Sequence, residues 1–194
     1  LWQDKKVQVK QEQFGRQCGP DDNRFGTSTV QVSGDHLTLQ FTRRTAREVR
    51  VVLPEDQVFT YGTFAFSVKS VTVSRADGTL LSNALPQELV LGLFTWDDEE
   101  AYLTYENFHH EVDIEISQWN QPNNQDAQFL VQQPGDPDAY RFWSSGQPRL
   151  FDQGGHWYNF TWNPGRIDWS TDAGVGDRVS LTTEKALREG SVDY

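Results

Sequence analysis

The sequence contains no methionine and a single cysteine, Cys18. One cysteine cannot close a disulfide within the chain, and no metal-ligand or nucleophilic cysteine spacing exists, so Cys18 reads as an idle or buried thiol. No apolar run approaches the roughly 20 residues that span a bilayer, and no stretch has the plan of a signal peptide. Basic residues are scarce: 17 Lys and Arg face 28 Asp and Glu, for a net charge of -11 and a pI near 4.7. That balance argues against nucleic acid and anionic membranes as partners, since both attract basic surfaces. Helical periodicity is almost missing; only 184–189 suggests a short helix. Repeats, low-complexity segments and linkers are absent too. A chain that starts at Leu1 and lacks Met is expected to be a processed product, an expressed piece or an excised part of something longer.

What is abundant is aromatic surface. Seven Trp, six Tyr and twelve Phe sit in 194 residues of mean hydropathy -0.67. The length suits one domain, 1–194, with a substantial core. An aromatic-rich sheet core accounts for many of these rings, and a carbohydrate cleft on the opposite sheet face accounts for the rest.

Short strand signals follow one another along the chain. Val7 and Val9 alternate with polar residues, and Trp2 reads as a core plug. Residues 29–32 and 36–41 predict a hairpin closed at Gly34-Asp35. Residues 48–53 form a further strand stopped by Pro54, and 61–69 alternate with Phe64, Phe66 and Val68 on one face. Residues 74–88 read as a loop. The continuous apolar run 89–94 predicts a central strand, although periodicity alone leaves a short buried helix open. It runs into Asp97-Asp98-Glu99-Glu100, read as a solvated loop rather than a cation site. Residues 127–132 continue a meander, and 133–154 are rich in Pro, Gly and Asp. His156, Tyr158, Phe160 and Trp162 share a strand face before a Pro164-Gly165 turn into 166–170. The Asn159-Phe160-Thr161 glycosylation pattern lies inside that strand, which speaks against its use. Many short strands and almost no helix predict an all-β fold, a two-layer antiparallel β-sandwich with one concave face.

The chemically informative stretch is Glu111-Val112-Asp113-Ile114-Glu115. Its period of two turns Val112, Ile114 and Ile116 to a core and aligns three carboxylates on the other face. Successive residues on that face lie about 6.5–7 Å apart between Cα atoms. Mutual repulsion raises at least one pKa, so one carboxyl can keep its proton while another stays charged. Glycoside hydrolysis uses such a pair, one acid for the leaving oxygen and one carboxylate to attack or to activate water. Glu111 and Glu115 are about 13 Å apart at Cα on a straight strand. Inward-leaning side chains on a concave strand can reach the roughly 5–5.5 Å of a retaining pair, and the wider inverting spacing fits equally. A solvated acidic face is the commoner meaning of such alternation. Trp96, His109, Trp119 and Trp143 nearby shift the balance, because sugar rings stack on aromatic residues.

With these motifs in order, the chain resembles the family 16 glycoside hydrolases, the laminarinase and lichenase group. Tyr61-Gly62-Thr63-Phe64 resembles that family's Y-G-x-[FY] strand opening, and Gly92-Leu93-Phe94-Thr95-Trp96 its strand before the catalytic one. Glu111 to Glu115 matches E-[IVL]-D-[IV]-E without an inserted bulge residue, and residues 156–164 match H-x-Y-x-F-x-W-x-P. Together the motifs span 61–164, and each alone is weak. A subgroup with G-L-F-T-W-D and E-[IV]-D-I-E-[FI]-S-x-W is the nearest in pattern.

The resemblance implies a concanavalin A-like jelly roll with a concave substrate cleft and a retaining endo-glycosidase acting on a β-linked polysaccharide such as a β-glucan. Residue by residue it implies Glu111 as nucleophile, Glu115 as general acid/base and Asp113 as a hydrogen-bonding partner of the nucleophile. It implies Trp96, His109 and Trp119 as the cleft lining, roles that core packing would also explain. It further implies no required cofactor, no catalytic metal, a structural calcium on the convex face without assignable ligands, a monomer, and an extracellular or cell-surface location. The family continues past the Ile167-Asp168-Trp169 strand into a strand reading N-[LI]-W, which this chain lacks, so C-terminal strands are expected to be missing. A non-catalytic carbohydrate-binding module on the same sandwich would tolerate loss of Glu111. A transglycosylase would use the same residues and resolve the intermediate with sugar instead of water.

Overall fold

The computed structural model describes residues 6–9, 24–25, 30–34, 36–40, 45–46, 49–52, 61–81, 85–95, 111–123, 126–132, 140–144, 154–173 and 179–182. Every regular element among them is a strand. The chain divides into two compact units, 1–58 with 193–194, and 59–192.

In the first unit, β1 (Lys6–Val9), β2 (Arg24–Phe25), β3 (Val30–Ser33), β4 (His36–Leu39), β5 (Thr45–Ala46) and β6 (Val49–Val52) form small pairs. β1 lies antiparallel to β6 and β2 parallel to β5. β3 and β4 are the expected hairpin, with Ser33 opposite His36. Gly34 there has φ 59°, a left-handed conformation that carries no Cβ penalty in glycine.

The second unit holds β7 (Gly62–Val68), β8 (Val73–Ser74), β9 (Leu80–Leu81), β10 (Leu91–Phe94), β11 (Glu111–Ile116), β12 (Ala127–Gln132), β13 (Tyr140–Ser144), β14 (His156–Asn163), β15 (Arg166–Thr171) and β16 (Val179–Thr182). One four-stranded antiparallel sheet runs β10-β11-β12-β13 and another β16-β15-β14-β7. Their apolar faces meet in one core: Val112, Ile114, Ile116, Ala127, Phe129 and Val131 from the first, and Phe64, Tyr158, Phe160, Trp162, Ile167 and Trp169 from the second. This is the two-layer antiparallel sandwich that strand alternation predicts, since each sheet has one apolar face to bury.

The core rings pack specifically. Phe160 stacks on Phe64 at 4.9 Å, and the edge of Tyr61 meets Trp162 at 5.1 Å. Such pairs add about 0.5–1.5 kcal/mol each beyond their buried area. β14 buries His156, Tyr158, Phe160 and Trp162 on one face, as its alternation predicts. The Asn159–Thr161 pattern is paired on both sides within the sheet.

Two expectations change. Residues 74–88 contain the hairpin β8–β9 and not only a loop; Arg75 and Thr79 close it, with Thr79 N–H donating to Thr79's neighbour-but-one, the Asp77 carboxylate, at 2.9 Å. The run 89–94 becomes strand only at Leu91, because Leu89 N–H closes a turn onto the Pro86 carbonyl at 2.9 Å. β10 pairs with β11 on one side among the described strands, and it is β11 that is flanked on both sides. Residues 184–189, Trp2, Cys18 and 97–100 lie outside the described residues.

Candidate active site

The alternation of β11 is realised in full. Val112, Ile114 and Ile116 are buried in the core. Glu111, Asp113 and Glu115 therefore stand on the opposite face of a strand held from both sides. Glu111 is 8% and Asp113 2% exposed, so these carboxyls lie largely out of water, where charge interactions are stronger than at a surface. Asp113 sits opposite Phe94 on β10 and Leu130 on β12; Glu115 sits opposite Gly92 and Gln128. The entry to the strand is latched by the buried Thr95, whose N–H donates to the Val112 carbonyl at 3.2 Å and whose hydroxyl accepts the Val112 N–H at 3.4 Å.

Glu115 is gripped by two donors. The Gln128 side-chain N–H and the Trp119 indole N–H, the latter at 3.1 Å, both donate to its Oε2. Gln128 is only 2% exposed. Gly92, directly across from Glu115, brings no side chain to that spot; among the described residues a Cβ there would meet the Phe94 ring, at 3.6 Å. A strand glycine leaves room for another molecule to approach.

Trp119 reaches Glu115 through an unusual backbone. Trp119 and Asn120 have φ of 51° and 53°, and Gln121 N–H donates to the Gln118 carbonyl at 2.9 Å. This is the φ pattern of a type I′ turn, which normally takes Asn and Gly. Left-handed backbone costs an ordinary L-residue about 1–2 kcal/mol. Local bonds hold it in place: Trp119 N–H to Ser117 Oγ at 2.9 Å, Asn120 N–H to the Gln87 carbonyl at 2.7 Å, and Gln118 Nε2 to Asp126 Oδ1 at 3.4 Å. The Gln87 bond ties this turn to the 86–89 turn that leads into β10.

Behind the strand, the Trp169 indole of the second sheet donates to the Asp113 carbonyl at 3.1 Å. The far layer thus fixes the middle of the carboxylate row.

Of the residues singled out from sequence, Glu111, Asp113, Glu115 and Trp119 come together here, while Trp96 and His109 lie outside the described residues. Gln128 belongs to no motif, and Gly92 and Thr95 enter from sequence only as part of the strand motif before the catalytic one. Gln128 could have been found as the polar residue of β12 that register places opposite Glu115. Among the described residues no group of three or more His, Cys, Asp or Glu is placed to hold a metal ion. No helix among them is long and apolar enough to cross a membrane.

No protein-family model and no curated protein matches this sequence. Solved structures do. A Bacillus licheniformis β-glucanase has a TM-score of 0.53 at 16% identity, over 96% of this chain and 76% of its own. A family 16 endo-glucanase from Bacteroides ovatus has 0.55 at 11%, over 99% and 80%. The Crh5 transglycosylase has 0.50 at 15%, over 96% and 65%. At these identities the likeness is one of fold: the chain has the all-β jelly roll on which β-glucan hydrolases and a transglycosylase are built.

Proposed function

We propose that this chain is a retaining endo-glycosidase of the family 16 type, acting on a β-linked polysaccharide such as a β-glucan. The observation that carries the reading is the row Glu111, Asp113 and Glu115 on one face of β11, on a fold shared with β-glucanases. In the proposed reaction the Glu111 carboxylate attacks the anomeric carbon. The glycosidic C–O bond breaks, its electrons pass to the leaving oxygen, and Glu115 protonates that oxygen. The Glu115 carboxylate then takes a proton from water, which attacks the glycosyl–Glu111 ester and restores both groups. Asp113 hydrogen-bonds Glu111 and sets the protonation of the pair. Trp119, with its indole N–H on Glu115, lines the cleft, and Trp96 and His109 are assigned as further substrate-binding residues by the family resemblance. The protein works as a monomer outside the cell or at its surface, where such polysaccharides occur, and needs no cofactor.

Transglycosylation is the second reading, favoured by the fold likeness to the Crh5 transglycosylase. It forms the same intermediate and replaces water with a sugar hydroxyl.

Reducing-end release from a panel of β-glucans and galactans, run with wild type and Glu111→Gln, tests the proposal. Release by wild type alone is expected. Longer and shorter products without net new reducing ends would mark the transglycosylase. Equal behaviour of both proteins on every substrate would sink the catalytic role of Glu111 and leave a binding module.

A further inference from the structure

We infer that Trp119 and Gln128 are positioning residues that orient Glu115 so that its exchangeable proton is carried on Oε1. The inference takes its catalytic meaning from the proposed glycosidase, but its geometry stands without it. Two N–H groups, the Trp119 indole and the Gln128 amide, converge on one oxygen, Oε2. An indole N–H donates only, and an amide NH2 likewise cannot accept. With both of them on Oε2, a hydrogen placed there would face two other hydrogens. In the acid form Oε2 is the carbonyl-type oxygen and Oε1 holds the proton.

Both donors are costly to put there. Gln128 is a nearly buried amide in a strand whose neighbours Ala127, Phe129 and Val131 belong to the core. Trp119 reaches Oε2 only through a left-handed backbone that disfavours a bulky residue. Its turn is tied back to Ser117 and Gln87. Strain held by several bonds, with its side chain on a carboxylate, marks placement rather than passive packing.

Protonation follows. In the first step the Oε1–H proton passes to the leaving oxygen while the C–O bonding pair goes to that oxygen. In the second, Oε1 accepts a proton from the attacking water. Oε2 keeps its two donors throughout and does not have to rotate. Gly92, across the strand from Glu115, leaves space beside the carboxyl. Among the described residues of β11, the other titratable groups on this face are Glu111 and Asp113. β10 presents Gly92 and Phe94, β12 presents Gln128 and Leu130, and Arg141 of β13 stands at the register position next to Leu130.

The test uses the full chain, labelled with ¹⁵N. The Trp119 indole resonance, identified by its loss in Trp119→Phe, is followed from acid to neutral pH in wild type and in Glu115→Gln. We expect it to titrate in wild type and to lose that titration in Glu115→Gln. If Trp119→Phe does not fold, the wild-type and Glu115→Gln spectra alone identify the resonance. An indole spectrum indifferent to Glu115 overturns the inference.

Kinetics gives the second readout. Donors on a carboxylate favour its charged form, so removing one favours the acid form. Trp119→Phe and Gln128→Leu should each move the alkaline limb of kcat/KM upward by about one pH unit, a tenfold change in proton affinity. Turnover of polysaccharide should fall about tenfold. Turnover of a dinitrophenyl glycoside, whose leaving group needs no proton, should fall far less. A raised KM with an unmoved pH limb would mean that Trp119 serves only as a sugar platform, and the inference fails. Titration linked to Glu115 in a protein that cleaves no polysaccharide leaves the two donors standing and overturns the glycosidase reading alone.

Discussion

Replacing Trp169 with Phe should damage the site more than the core. Trp169 is 1% exposed, packs near Phe129 at 6.3 Å and donates its indole N–H to the Asp113 carbonyl. Phe keeps one ring and loses that donor. The lost hydrogen bond is worth about 0.5–1.5 kcal/mol net. The missing ring removes on the order of 40 Å² of buried apolar surface, about 1 kcal/mol at 25 cal/mol per Å². Together they give about 2 kcal/mol. Urea unfolding should show this as a lower midpoint with an unchanged slope. Phe160→Leu is the matched control: it loosens the same core, at the Phe64 and Phe66 rings, and removes no hydrogen bond to β11. Assayed where both variants are fully folded, Trp169→Phe should lose polysaccharide turnover severalfold and Phe160→Leu should not. Equal turnover in the two, or a stability loss below about 0.5 kcal/mol for Trp169→Phe, would refute the claim that the far sheet positions the carboxylate row.

Gly92→Ala should be tolerated, since its Cβ meets the Phe94 ring only at ordinary contact distance, whereas Gly92→Val should fold and yet lose kcat/KM by filling the space beside Glu115; unchanged kinetics in the Val variant would exclude that space from the substrate path. The Thr79 backbone N–H, then the Thr79 side chain, holds the Asp77 carboxyl below the ordinary carboxylate range. A depressed folded pKa stabilises the β8–β9 hairpin above the unfolded value near 3.9 and loses that effect as pH falls through the folded one. Amide exchange at Thr79 should therefore accelerate on the acid side in wild type and be pH-independent there in Asp77→Asn, apart from intrinsic exchange chemistry; parallel profiles would refute the linkage.

Alternation alone located β11 and β14, because in each the apolar residues fall on the one face that packs into the core. The β3–β4 hairpin was equally legible from Gly34-Asp35 between two apolar runs. The start of β10 was not, because Val90 and Leu89 are as apolar as the strand that follows and only the Pro86 turn excludes them. The carboxylate row was readable as chemistry, since three acids at a spacing of two need no partner to be noticed. Its supports were not. Trp119 was readable as an aromatic residue near the site, but its hydrogen bond depends on two left-handed φ values that no propensity for Trp would suggest. Gln128 and Trp169 act across 13 and 56 residues of sequence, and such pairings become visible only once strand register and sheet stacking are known.

The alternation of β11 also guards its own assembly. Slipping the strand by one residue against β10 and β12 would exchange its faces. Glu111, Asp113 and Glu115 would enter the space now filled by Val112, Ile114 and Ile116, among Phe129, Ile167 and Trp169. Three unpaired carboxylates in such a place cost several kcal/mol each, even after shedding charge by protonation. A misregistered sandwich is thereby ruled out by the same groups that line the site. Replacing all three with apolar residues would remove that penalty along with the chemistry, and with it the barrier that keeps this strand from pairing out of step with its neighbours.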